Sequence, residues 1–394
     1  MRHNLDRYTE DQAAGKGKVG FFLSTAAAAM LFILILGGCD NTLGVFSSIA
    51  GEKKQTGVDL FNNTIVHAMA EDGSHYYALL GKVAYRPKDG SAGWEILAVG
   101  GSTNYFSPGI ASDGTTLYVA KANAGNILED IYKSTNAGSA GAAWTGLNAA
   151  AALSAHTVQW LRCVNGWLFV AVKKESDNSY SLFYFDGANF VSAGPALASL
   201  SSPLLDVAWD GSEYWAISTS KVFHGAAGNL AEESAPALAD GILGIAADED
   251  TGRVIISRSD GKLYDNGSGS WSSVEVKAGT ALGPVFILKT PAATTQRLLF
   301  GKGVSAYGYM EMAYANPLDK NTLKENGTDY ISTTKSVYLS TAAGKRLVGF
   351  WQSGTGELFM MLAAGGTSSY ALYRNTFDPS ANNGAGGWSG WTAE

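Results

Sequence analysis

Residues 111–144, ASDGTTLYVAKANAGNILEDIYKSTNAGSAGAAW, set out a unit that recurs along the chain. A polar turn (Ser112-Asp113-Gly114) leads into an apolar strand (Leu117-Tyr118-Val119-Ala120). A loop, another strand (Ile131-Tyr132-Lys133-Ser134), a Gly-rich turn and Trp144 follow. Seven apolar cores align on this pattern. Four of them are Tyr76-Tyr77-Ala78-Leu79, Leu117-Tyr118-Val119-Ala120, Leu168-Phe169-Val170-Ala171 and Tyr214-Trp215-Ala216-Ile217. Val254-Ile255-Ile256-Ser257, Leu298-Leu299-Phe300-Gly301 and Leu358-Phe359-Met360-Met361 complete the set. Their spacing is irregular, on the order of 40–60 residues, as loop insertions between copies of one supersecondary unit would make it. No unit of this size buries its own apolar face, so the copies must stack.

Short strands precede most cores and end in hairpin signals: 65–70 before Asp72-Gly73, 158–164 before Asn165-Gly166, and 204–209 before Asp210-Gly211. A third strand follows each of six cores, and a weaker fourth often opens with an aromatic: Trp94, Trp144, Phe190, Trp271 or Trp388. With 48 Gly, 10 Trp and 18 Tyr but only 16% charged residues, the chain favours short strands and tight turns over long helices. The pattern predicts an all-β fold, a β-propeller of seven four-stranded blades over 58–394. Between Leu299 and Phe359 two strand-like stretches (307–314 and 330–339) leave six or eight blades open. Residues 58–63 are expected to lend a strand to the last blade, whose own outer strand would be 388–391.

Ahead of this body stands FFLSTAAAAMLFILIL (21–36), uncharged, preceded by Lys16 and Lys18 and followed by Leu36-Gly37-Gly38-Cys39. A basic flank, a short apolar run and small residues before a cleavage point are the layout of an export signal. The last four residues resemble the lipobox of bacterial lipoproteins. That resemblance implies cleavage before Cys39, a lipid (diacylglyceryl, then acyl groups such as palmitate) on Cys39, and a place in the cell envelope. It divides the chain into a signal peptide (1–38), a lipidated tether (39–57) and the propeller (58–394). An uncleaved signal anchor, with Cys39 an incidental thiol, is the alternative. It is disfavoured because the run falls short of the roughly 20 residues that cross a bilayer.

The turn Ser134-Thr135-Asn136-Ala137-Gly138, leading to Trp144, resembles the Asp-box of sialidase-type propellers, as more loosely do Asp265-Asn266-Gly267 before Trp271 and Lys88-Asp89-Gly90 before Trp94. The resemblance implies a structural role, a polar side chain closing its own turn and a Trp between sheets. A sialidase-like active site would also need three converging arginines. Tyr85-Arg86-Pro87 departs from that family's arginine motif by one missing residue. Arg162, Arg253, Arg258, Arg297, Arg346 and Arg374 are scattered, and surface solvation is expected for them.

No other constellation carries chemistry. His67, His75, His156 and His224 lack metal-ligand spacing. Asp248-Glu249-Asp250 reads as a solvated hairpin turn rather than a calcium loop. Cys163 lies in an apolar strand and reads as a small core residue. Glu311, Glu357 and Asp206 would have to meet to act as a glycosidase pair. The Gly-rich 384–387 stretch lacks the strand and helix of a phosphate loop. The sequence therefore predicts no catalytic, metal or cofactor site. With a net charge of −7 and a pI near 5.3, nucleic acid is an unsuitable main ligand. What remains is a membrane-held module that binds protein or glycan on a propeller face. Tyr105-Phe106 and Tyr307-Gly308-Tyr309 are possible contacts. The competing expectation is a carbohydrate-active enzyme, a sialidase-like glycoside hydrolase or lyase on the same scaffold. A cluster of arginines and carboxylates at the channel mouth would favour it.

Overall fold

Seven small antiparallel sheets form a ring in the computed structural model, which describes residues 60–234, 240–267, 269–289, 296–302, 309–324, 346–363, 370–380 and 387–394. Five blades are meanders of four strands in chain order. The sixth has three strands, and its fourth is reduced to a bridge between Glu311 and Lys324. The seventh takes Thr392–Ala393 as its outer strand. The expected fold class is thus the observed one, a seven-bladed β-propeller. Helix is confined among the described residues to Ala150–Leu153 and short 3-10 turns. None is long and apolar enough to cross a membrane.

Each predicted apolar core is the second strand of a blade: His75–Leu79, Leu117–Ala122, Trp167–Lys174, Tyr214–Ser218, Arg253–Arg258, Arg297–Lys302 and Leu358–Ala363. These strands are apolar on both faces because both faces are covered. In Trp167–Lys174, Leu168, Val170 and Val172 pack toward the second blade, while Phe169 and Ala171 pack toward the fourth. Tyr214 and Ala216 likewise face the third blade, and Trp215 and Ile217 the fifth. Alternation along a strand sends successive side chains to opposite seams. Seven apolar clusters result among the described residues, each shared by two neighbouring blades. Each fully buried Leu, Ile or Phe there contributes about 1.5–3 kcal/mol.

The ring closes at the cluster of Phe61, Tyr76, Trp94, Phe359 and Leu372. Residues 61–66 do reach the last blade, but not at its outer edge. Asn62 bridges Tyr370, Ile65 bridges Ala363, and the Ala371 amide donates to the Phe61 carbonyl at 2.8 Å. The pairing sits where the second and third strands of that blade connect. The outer edge belongs to Thr392–Ala393, not to Trp388 as expected. Gly387–Trp388 instead pairs with Phe377–Asp378 in a separate two-stranded piece. Trp391 turns inward against Tyr309 and Phe350, and the Gly390 amide donates to the Asn375 side chain at 3.0 Å. Of the two stretches that left the blade count open, 330–339 and residues 307–308 lie outside the described residues, and Tyr309–Ala313 is the third strand of blade six.

The first strands stand innermost: Ala68–Glu71, Phe106–Ser112, His156–Val164, Leu204–Trp209, Ile242–Asp248, Leu282–Leu288 and Arg346–Gln352. In six of the seven blades the pairing of this strand with the second slips near its start, leaving unpaired Pro108, Gln159, Leu205, Leu243, Pro284 and Val348. Such bulges bend a strand and redirect a side chain. Neighbouring inner strands then approach closely: a Cβ on Gly244 would stand 2.9 Å from the Pro284 Cα and from the Val285 amide nitrogen.

Candidate functional site

The inner strands enclose an axial channel. A cavity of about 460 Å3 touches all seven of them. A second, of about 310 Å3, opens toward the hairpin turns of blades one, two, three and seven. Five of the bulge residues (Pro108, Gln159, Leu205, Pro284 and Val348) line the larger cavity. Prolines inside strands mark bulges because they cannot donate to the ladder. Pro108 and Pro284 were therefore a legible signal for this ring, and the sequence reading passed over them.

Where the two cavities meet, the shared wall is Ala68, Ile110, Leu161, Phe350 and Met361 together with Arg162 and Asp206. Arg162 Nε donates to Asp206 Oδ1 at 3.0 Å, across the seam of blades three and four. The same oxygen accepts the Val207 amide at 2.9 Å, and Arg162 NH1 donates to the Leu161 carbonyl at 3.1 Å. The guanidinium lies 5.7 Å from the Trp160 ring, whose indole donates to the Leu204 carbonyl at 3.0 Å. Both charged side chains are 34% exposed, open to the channel rather than sealed in the seam.

The other charges on the wall are matched. Lys289 Nζ lies 3.0 Å from Asp248 and 2.7 Å from Asp250. Burial alone would lower its pKa, but the two carboxylates outweigh it and raise it. The acidic turn read as solvated thus holds a cation already, the ammonium of Lys289, and Asp248 is fully buried. Glu71 pairs with Lys88 at 2.6 Å and accepts the Gly354 amide at 2.6 Å. His67 lines the larger cavity with its side chain exposed; desolvation by the surrounding wall, and then the charge of Arg346, lower its pKa.

The residues singled out from sequence do not converge. Asp206, Glu311 and Glu357 stand in blades four, six and seven. Among the arginines weighed, Arg162 alone lines either cavity. Solvation, expected of Arg253, does not describe it: it is buried with Asp265 at 2.5 Å, and Arg86 is buried too, with Glu394 at 3.0 Å. Seams between blades need something to satisfy polar edges that water cannot reach, and buried ion pairs meet that need. Cys163 is half-buried, and burial, then Asp113, push its thiol well above the ordinary value. His75, His156 and His224 make separate local contacts: with Asp72, with the Ser154 carbonyl, and with Glu213 and Glu233. Tyr105 and Tyr309 are core residues. The Tyr105 hydroxyl joins Val83 N and Leu97 O, and the Tyr309 hydroxyl accepts the Trp391 indole at 3.2 Å. Phe106 is half-buried at the head of an inner strand, and Tyr307 and Gly308 lie outside the described residues, as do Cys39 and residues 384–386.

A structural motif does repeat on the turn side. Asp72, Asp113 and Asp210 each accept two backbone N–H groups from the residues two and three ahead. Their other oxygen accepts from the aromatic five ahead: Tyr77, Tyr118 and Trp215. The aspartate precedes the two-residue turn, so Gly takes its first position, with φ of 90° at Gly114 and 100° at Gly211. Of the three hairpin turns read from the sequence, 72–73, 165–166 and 210–211, only Asn165-Gly166 carries positive φ at both residues.

No protein-family model matches the sequence, and no curated protein matches it either. Among solved structures, the chain is similar to an ancestral GH74 enzyme: TM-score 0.59, 12% identity, covering 86% of this chain and 48% of that one. It is similar to YCF48 bound to D1 peptide: TM-score 0.54, 13% identity, covering 84% and 96%. It is also similar to the WD40 propeller domain of Doa1: TM-score 0.53, 12% identity, covering 79% and 93%. At such identities the likeness is one of fold, and the fold shared is the β-propeller.

Proposed function

We propose that this chain is a non-catalytic binding and scaffold module held at a membrane of the cell envelope by lipid on Cys39, with 39–57 as tether. The observation that carries the binding reading is the channel wall, whose charged side chains are already matched, with Arg86 and Arg253 tied into buried ion pairs. Acid–base or carboxylate-directed chemistry needs titratable groups poised toward a substrate, whereas a rigid ring bearing loops suits recognition of a protein surface. The peptide in the YCF48 structure supports a protein ligand for this chain too. Asn136 supports the Asp-box likeness: its Oδ1 accepts the Ala143 amide at 3.1 Å and the Ser134 hydroxyl at 3.0 Å, and Trp144 packs at the seam of blades one and two.

The anchor is tested by feeding labelled palmitate to cells making the wild type or Cys39→Ala. Label and membrane fractionation are expected in the wild type alone, and equal labelling overturns the anchor. Binding is tested by photo-crosslinking on intact cells, where a defined partner is expected. The GH74 likeness favours a second reading, a carbohydrate-active enzyme. Glycan hydrolysis lost on Asp206→Asn would establish it in place of the first.

A further inference from the structure

We propose that the channel, where its two cavities meet, recognises the backbone of an apolar, uncharged peptide segment, with the N–H and C=O of one extended residue seated on Asp206 and Arg162. This rests on the protein-binding reading above and names where and what it binds. Three observations lead to it.

The first is capacity. A cavity of about 460 Å3, lined by many apolar residues but with polar as well as apolar surface, has the size of a ligand site, which typically spans roughly 300–1,000 Å3. The second is the unused hydrogen-bonding capacity of the pair. Arg162 uses Nε and NH1, and Asp206 uses Oδ1 twice. Arg162 NH2 and Asp206 Oδ2 have no partner among the described residues, and both side chains are 34% exposed to the cavity they line. A donor beside an acceptor complements one residue of an extended chain, whose N–H and C=O point to the same side: the carbonyl accepts from Arg162 Nη2 while the N–H donates to Asp206 Oδ2.

The third is charge. Arg162 and Asp206 cancel, Lys289 faces Asp248 and Asp250, Glu71 faces Lys88, and the neutral form of His67 is favoured. A carboxylate ligand would meet Asp206 and an ammonium would meet Arg162, so neither has a net attraction here. The N–H and C=O of one extended residue, both neutral, satisfy the two groups, and neighbouring side chains of the peptide meet Ile110, Leu161, Phe350 and Met361. Trp160, beneath the guanidinium, makes the event visible by fluorescence.

The test is calorimetric and fluorescence titration of the full chain in detergent with the capped peptide N-acetyl-Leu-Ala-Leu-amide. Saturable binding is expected in the wild type. The double variant Arg162→Met with Asp206→Leu, which keeps net charge and bulk, is expected to weaken it by roughly tenfold or more, as loss of two hydrogen bonds would. Ala246→Phe, which leaves the pair in place and fills the cavity, is expected to weaken it as well. A depsipeptide with an ester in place of the Leu–Ala amide lacks the middle N–H that would serve Asp206, and needs no protein variant to show a similar loss. Absence of binding to the wild type, or equal binding of amide, ester and double variant, overturns the proposal. If crosslinking still captures an envelope partner in that case, the channel assignment alone falls. If neither is seen, the binding reading falls with it.

Discussion

Trp94 of the first blade donates its indole N–H to Glu394 at 3.0 Å, joining positions 300 residues apart in the chain. Glu394 also meets Arg86 at 3.0 Å and Arg374 at 2.6 Å, so one carboxylate ties blades one and seven. Arg86 lies 5.4 Å from the rings of both Tyr76 and Trp94. The Tyr76 hydroxyl bonds Glu357, and burial, followed by that contact, pushes its pKa up to about 12. Closure of the ring therefore depends on a buried polar network beside the apolar cluster of Phe61 and Trp94.

Glu394→Ala should leave Arg86 buried without its counter-charge. Removing one partner of a buried pair costs about 3–5 kcal/mol. Urea unfolding should show a loss of that order. Trp94→Phe, which deletes only one hydrogen-bond donor and some ring area, should cost less. Equal stability of wild type and Glu394→Ala would mean that the seam is closed by packing alone.

At the hairpin of blade four, Asp210 gathers the Ser212 and Glu213 amides and the Trp215 indole, the last at 2.7 Å. Burial would raise its pKa, but these hydrogen bonds outweigh it and hold the carboxyl below its usual range. Such a group stabilises above the unfolded carboxyl pKa of about 3.9, and that contribution fades as pH falls through the lowered folded value. Asp210→Ala should cost about 1–3 kcal/mol at neutral pH and should lose less further stability on acidification to about pH 2. The comparison is of thermal midpoints against pH for the two proteins.

The architecture was readable because second strands are buried on both faces, and Leu168-Phe169-Val170-Ala171 could hardly belong to a half-exposed sheet. The outer strands were less so. Glu95–Ile96 and Thr145–Gly146 are two residues long, and their aromatics, Trp94 and Trp144, precede them rather than pair within them. The channel was harder still. Arg162 and Asp206 are 44 positions apart, and nothing local announces that adjacent inner strands bring them together. The Asp-to-aromatic spacing of five occurs four times in the sequence, but its meaning depends on a side chain reaching back over a turn, and at Asp89 the Trp94 indole goes to Glu394 instead.

Gly244 provides a direct test of inner-strand spacing. Its Cβ position is 2.9 Å from backbone atoms of Pro284 and Val285, and 3.1 Å from the Ser257 hydroxyl, which itself donates to the Gly283 carbonyl at 2.7 Å. Backbone cannot swing aside as a flexible side chain can. Gly244→Val should destabilise by about 1–3 kcal/mol through overpacking, whereas Gly114→Asn, in an open turn with nothing near its Cβ position, should be far milder. Chemical denaturation of the two variants separates the effects.

His67 gives the channel a pH signature. Its folded pKa is lowered, first by burial and then by Arg346, while the unfolded ring titrates near 6.5. Between those two values the unfolded chain takes up a proton that the folded one does not. Stability from the neutral ring is therefore complete above about pH 6.5 and declines as pH falls, until the folded ring is protonated as well. Thermal melts at about pH 7.5 and about pH 5.5 should show a larger drop for the wild type than for His67→Gln, which cannot be charged. Equal drops would show that the ring, exposed where it faces the cavity, is free to be protonated in place.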